Sequence, residues 1–172
     1  MAWMLLIKKK KLFKMKIIEI KNNSNYLKEY IKLCYIEWSN KEKKLEEYIN
    51  YKIDKIKNDD NVITVLGLIN NNELIGFISL FKNDELEYCN LTPWYATMYV
   101  KSIYRGKSYS KILNDAILNK AKQLGYNKVY LKSNLVNYYE RFGAKKISKL
   151  KNGENLYYIN LIWGEILWKK LL

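Results

Sequence analysis

The chain predicts an α/β (α+β) fold, a mixed central sheet flanked by helices in a single domain, and three observations carry that expectation. Its 172 residues are 49% hydrophobic, the length and apolar content of one domain with a two-layer core. Apolar residues recur at helical spacing in some segments and gather in short strand-like runs in others. These segments follow one another in the order β-α-α-β-β-β-α-β-α-β-β, with neither an internal repeat nor a low-complexity linker.

MKIIEI, opening at Met15, is the first strand, and residues 1–14 are expected to form an extension outside a domain of residues 15–172. Ser24 is placed to cap the next segment, where Tyr26, Leu27, Tyr30, Ile31, Cys34 and Tyr35 fall at helical spacing. After Ser39 and Asn40, KEKKLEEYINYKIDKI forms a second helix with Leu45, Tyr48, Ile49, Ile53 and Ile56 on its apolar face. VITVLGLI and ELIGFISLF, joined through an NNNE turn, read as a β-hairpin. PWYATMYV is a further strand, entered at Pro93 where no ladder amide is needed. A helix from about Ser108 to Leu124 has apolar Ile112, Leu113, Ala116, Ile117 and Leu118 and is stopped by Gly125. KVYLKS is a strand, LVNYYERFG a short helix ended by Gly143, and AKKISKL and NLYYINLIW are closing strands.

Composition removes several classes of chemistry. The sequence has no histidine, so both the commonest general base and the commonest metal ligand are missing and no metal is expected. Cys34 and Cys89 belong to no C-x-x-C pair, which leaves redox motifs and disulfide frameworks without support and points to reduced thiols in a cytoplasmic protein. The charge of +14, from 31 Lys and Arg against 17 Asp and Glu, would by itself suit an anionic partner. It is spread over every segment apart from KKKK at 8–11, so neither nucleic acid nor membrane is selected. MAWMLLI precedes that basic run, the reverse of a signal peptide, and is far shorter than the ~20 residues that span a bilayer.

RGKSYS, residues 105–110, lies between the PWYATMYV strand and the helix beginning KILNDAIL. Strand, glycine-bearing turn and helix make an anion site, because the first amides of a helix have no internal partner and point outward with the positive dipole end. Amides from Gly106 through Lys107, Ser108 and Tyr109 to Ser110 can converge on a diphosphate, and Arg105 and Lys107 add charge. Ser110 keeps the side chain small. Ser108 is the greater departure from glycine, since its Cβ disfavours a positive φ.

Three patterns in sequence order resemble the GNAT superfamily of acetyl-CoA-dependent acetyltransferases, over nearly all of the chain from Met15. Y-V-x-x-x-Y-R-G-K at 99–107 is similar to the strand leading into that family's R/Q-x-x-G-x-G/A loop, with Ser108 and Ser110 where glycine and glycine or alanine are usual. Y-Y-E-R-F-G-A at 138–144 resembles F-Y-E-K-L-G-F, and T-P-W-Y-A at 92–96 resembles the T-P-W-L-A that enters the cofactor strand. The resemblance implies a mostly antiparallel GNAT-like sheet and acetyl-CoA as co-substrate. It implies that the pantetheine arm pairs with the PWYATMYV strand through Met98 and Val100, flanking Tyr99, where a splay from KVYLKS exposes the edge. It also implies that Tyr139 is the proton donor to the leaving thiolate.

Asn134, just past KVYLKS, is a candidate hydrogen-bonding residue for the cofactor arm. With no histidine to take the proton of the attacking amine, Glu87 is the candidate base, directly or through water. The acceptor is expected against the first two helices, with Tyr35, Trp38 and Tyr48 as a wall. Together these features point to N-acetylation of a primary amine, a small molecule in preference to a protein. A non-catalytic acyl-CoA-binding module and a basic nucleic-acid or membrane-associating protein are the rivals, and a homodimer is left open.

Overall fold

A computed structural model of the chain describes residues 15–20 and 25–161. The extension at 1–14, the capping role of Ser24, and Ile162 and Trp163 at the end of the last strand lie outside the described residues. The elements are β1 (Met15–Glu19), α1 (Asn25–Trp38), α2 (Leu45–Asn58), β2 (Val62–Asn70), β3 (Glu73–Phe81), β4 (Trp94–Val100), α3 (Tyr109–Gln123), β5 (Lys128–Ser133), β6 (Lys145–Lys149) and β7 (Asn155–Asn160). Among the described residues the strands form one sheet in the order β1-β2-β3-β4-β5-β7-β6. Every neighbouring pair is antiparallel except β4 and β5.

The hairpin of β2 and β3 lies inside this sheet, between β1 and β4, and its apolar runs are nearly unbroken because helices cover both faces. Val65, Ile69, Leu74 and Phe77 pack with Leu27, Tyr30 and Ile31 of α1. Leu66, Leu68, Ile75, Ile78 and Leu80 pack with Leu113, Ile117 and Ala121 of α3. Leu113 and Ile117 are fully buried, worth about 1.5–3 kcal/mol each in apolar transfer. The turn joining the strands has positive φ at both Asn71 and Asn72, the conformation that matches strand twist and that asparagine tolerates.

Two helices differ from the sequence expectation. Helix α2 begins at Leu45, not Lys41. Lys41 has φ of 61°, and the Ser39 and Asn40 side chains accept the amides of Lys41 and Glu42 at 3.0 and 3.4 Å, so side-chain turns compete with the helix ladder. LVNYYERFG is not a helix but a bent segment ending in one 3₁₀ turn, Glu140–Phe142. Asn137, at φ of 59°, interrupts any right-handed helix there. Gly143 closes the turn with φ of 87°, as expected.

Gly76 of β3 shows how tightly the sheet is fitted beside β4. A Cβ there would meet the Tyr99 carbonyl oxygen at 2.7 Å, Leu113 Cδ1 at 3.1 Å and Val100 Cγ2 at 3.3 Å. Because the nearest obstacle is backbone, Gly76→Ala is expected to destabilise by about 1–3 kcal/mol. A melting temperature equal to the parent's would show that β4 yields freely.

Candidate active site

Strands β4 and β5 are joined at a single point, Trp94 opposite Tyr130, and Tyr130 donates its amide to the Pro93 carbonyl at 2.9 Å. Beyond that point they part, the splay that the resemblance requires and that the sequence itself cannot show. Its origin is visible in β4 itself. Thr97 has φ of 48°, and the pairing with β3 slips between Phe77 and Ser79, the signature of a bulge that bends a strand away from its neighbour. Thr97 Oγ1 lies 2.5 Å from Ser79 Oγ, and Ser79 Oγ lies 3.3 Å from the buried Tyr30 hydroxyl. This buried chain of hydroxyls ties the bulge to α1.

The parting strands open into a cleft of about 990 Å³. Along β4 it is lined by Ala96, Thr97, Met98, Tyr99 and Val100, and along β5 by Leu131, Lys132 and Ser133. At one end stands the loop at the start of α3, through Arg105, Gly106, Ser108, Tyr109 and Ser110. Gly106 has φ of 77° and open space where a Cβ would be. Ser108 adopts φ of 60° as the helix N-cap, so serine accepts here the left-handed conformation that its Cβ disfavours. The Lys111 and Ile112 amides turn back to the Ser108 carbonyl, at 3.0 and 3.4 Å. The Tyr109 and Ser110 amides, first in the helix, have no partner within it.

The charges beside this loop are arranged differently from the expectation. Arg105 donates from Nε to the Val100 carbonyl at 2.8 Å, lies 3.9 Å from the Glu37 carboxylate and sits 5.8 Å from the Tyr99 ring centre. Its guanidinium therefore fastens the loop to β4 and α1. Lys107 lies over the Tyr104 ring and is absent from the cleft lining, as is Asn134. A network beneath the loop adds stiffness: Lys101 donates to Glu29 and Glu73 at 2.7 and 3.0 Å, and the Tyr104 hydroxyl donates to Glu73 at 2.6 Å.

Tyr139 lines the cleft, with its ring edge-on to Tyr95 and Tyr138 at 5.9 and 5.0 Å. Burial, helped by Tyr138, raises its phenol to about 12, so it holds its proton throughout the neutral range. Arg141, which the sequence reading passed over, also lines the cleft and stacks 4.0 Å from the Tyr138 ring centre.

Of the aromatic wall expected for an acceptor, only Trp38 reaches the cleft. It is half exposed, beside Phe77 and Tyr99. Tyr35 and Tyr48 instead pack on each other at 5.1 Å between α1 and α2, and the Tyr35 hydroxyl donates to the Lys43 carbonyl. Glu87 is absent from the lining and is ion-paired with Lys151 at the surface. Three residues earlier, Asp84 lines the cleft beside Lys132. The acid-rich stretch NDELE was the available signal, but sequence alone does not say which of its carboxylates turns inward. Among the described residues no group of His, Cys, Asp and Glu side chains could hold a metal ion, and no helix is long and apolar enough to cross a membrane.

A family model described as the acetyltransferase (GNAT) family matches residues 25–144. The fold is similar to that of an aminoglycoside 6'-acetyltransferase of type Ii, at 19% identity over 86% of this chain and 97% of that one, with a TM-score of 0.64. It is also similar to an aminoglycoside 6'-N-acetyltransferase complexed with coenzyme A, at 16% identity over 86% and 97% of the two chains, TM-score 0.67. A third is PaiA N-acetyltransferase from Thermoplasma acidophilum in complex with coenzyme A, at 19% identity over 86% and 99%, TM-score 0.59. No curated protein sequence matches the chain.

Proposed function

The chain belongs to the GNAT family of acetyltransferases, and from that premise we propose that it transfers acetyl from acetyl-CoA to a primary amine, a small molecule in preference to a protein, by direct attack in a ternary complex. The observation that carries this reading is one cleft with a helix start at one end and an unpaired strand edge along its length. Its volume is at the upper end of the range for cofactor-sized ligands. The conformations at Gly106 and Ser108 leave room for backbone amides to approach a diphosphate.

When bound, acetyl-CoA supplies an acetyl group already activated as a thioester. The amides from Gly106 to Ser110 would hold its diphosphate, and the backbone of Met98 and Val100 would hold its extended arm along β4. Tyr139 keeps a proton on its hydroxyl for the departing sulfur. No hydrogen bond contributes to the shift of its phenol, and burial strengthens what that proton does to a nearby developing charge.

Tyr139→Phe is therefore expected to lower kcat about 10-fold or more, with the melting temperature and cofactor affinity near those of the parent. Full activity in that variant at neutral pH would remove Tyr139 from the mechanism. The proposal as a whole is tested by acetyl-CoA turnover against putrescine, spermidine, an aminoglycoside and a lysine-containing peptide. Cofactor binding without turnover on any amine would leave an acyl-CoA-binding module in place of an enzyme.

A further inference from the structure

We propose that Asp84 is the catalytic residue that takes the proton of the acceptor amine, with Lys132 positioning it; this rests on the acetyltransferase reading above. The placement comes first. Strand β4 runs from Trp94, where the splay begins, to Val100 beside the diphosphate loop. Its seven residues span roughly 20 Å. An extended arm with backbone-like amides, leaving the loop and following β4, reaches ~15 Å. Its reacting end then lies near the closed end of the splay, and Asp84 lines the cleft there, following β3, beside Lys132 of β5.

Glu37 and Glu154 also line the cleft, but each is engaged elsewhere. Glu37 faces Arg105 at the loop end, and Glu154 accepts from Asn152 Nδ2 at 2.8 Å in the turn before β7. The Lys132 ammonium is held by the Asp84 carbonyl at 2.5 Å and the Glu85 carboxylate at 3.1 Å. It stands off at 3.7 Å from the Asp84 carboxylate. Lys132 therefore fixes the Asp84 backbone through its closest contacts and pairs more loosely with the Asp84 carboxylate, which lines the cleft.

The charged groups facing Asp84 are Lys132 from β5, Glu85 from its own loop and Glu154 from the turn before β7. Burial is the largest influence and raises its pKa; Lys132 opposes this, while Glu154 and Glu85 add to it. A carboxylate whose pKa is raised in this way is a stronger base than an ordinary aspartate.

In the step, the acceptor ammonium gives one proton to the Asp84 carboxylate, leaving a lone pair on nitrogen. The nitrogen–carbon bond forms and the carbon–sulfur bond breaks, with sulfur taking the Tyr139 hydroxyl proton. The second nitrogen proton passes to water, Tyr139 regains one from water, and Asp84 releases its own, so one proton is released per acetyl transferred.

The test compares the parent, Asp84→Asn and Lys132→Met. Using the amine of the panel that turns over fastest, Asp84→Asn is expected to lower kcat/KM about 100-fold and to erase the acidic limb of its pH profile. Its melting temperature should be no lower than the parent's. Lys132→Met should move that limb to higher pH, because the positive neighbour is lost. Independently of turnover, the Asp84 carboxyl is titrated by 13C NMR in aspartate-labelled protein, assigned by its loss in Asp84→Asn. It should titrate above the ordinary aspartate range, and higher still in Lys132→Met. An ordinary Asp84 titration, or an acidic limb preserved in Asp84→Asn, would overturn the assignment. Failure of every amine with intact cofactor binding counts instead against the acetyltransferase reading, and the carboxyl titration then still decides whether Asp84 has the basicity required.

Discussion

In Ser110→Asp, the rise in melting temperature that acetyl-CoA gives the parent should all but vanish, while the ligand-free protein remains at least as stable. At 100 times its dissociation constant, a ligand that binds only the folded state adds ~2.7 kcal/mol, several degrees for a chain of this size. Ser110 is the second residue of α3 and lines the cleft. A carboxylate in the first turn of a helix is neutral or favourable by ~0.3–1 kcal/mol through the dipole. The same carboxylate would face the diphosphate at close range, where like charges repel strongly. A plain helix start with no ligand would thus be indifferent to the change or improved by it, whereas a diphosphate cradle would fail. Equal acetyl-CoA shifts in parent and variant, or none in either, would show that this loop is not the cradle.

Trp94→Ala should produce the largest loss of stability among these variants, about 3–5 kcal/mol, or on the order of 10 °C in melting temperature. Trp94 is fully buried in a small cluster with Leu150 and Leu156, and its indole Nε1 donates to the Leu91 carbonyl at 2.8 Å. It also occupies the one pairing position between β4 and β5. Removing the side chain leaves a cavity at the closed end of the splay, so acetyl-CoA affinity should fall together with stability. Trp94→Phe keeps most of the volume and loses the hydrogen bond, and should cost about 1 kcal/mol. If Trp94→Ala melted within a degree or two of the parent, the closed end of the cleft would not depend on this side chain.

The sequence by itself determined what is local. Helical spacing in α1 and α3 marked Leu27, Tyr30, Ile31, Leu113 and Ile117, which are buried because one face of each helix has to meet the sheet, whereas Ile112, marked by the same spacing, is exposed. The hairpin followed from two apolar runs around asparagines, since such a turn needs only the residues within it. The strand, loop and helix around RGKSYS were legible for the same reason, as was the glycine that closes the turn after Tyr139.

What the tertiary structure alone decided depends on partners far away in the chain. Whether β4 and β5 separate is settled by a bulge at Thr97 and by what lies across it on β3, and neither strand announces it. Tyr35 and Tyr48 have apolar spacing that suits a wall or a core equally, and only the packing of α1 on α2 assigned them to each other. Asp84 and Glu87 share one loop and one chemistry. Lys132, on a strand 48 residues from Asp84, keeps one at the cleft, while Lys151, 64 residues from Glu87, holds the other at the surface. A carboxylate's environment is set by burial and by the charges the fold brings beside it, and those are properties of the assembled sheet.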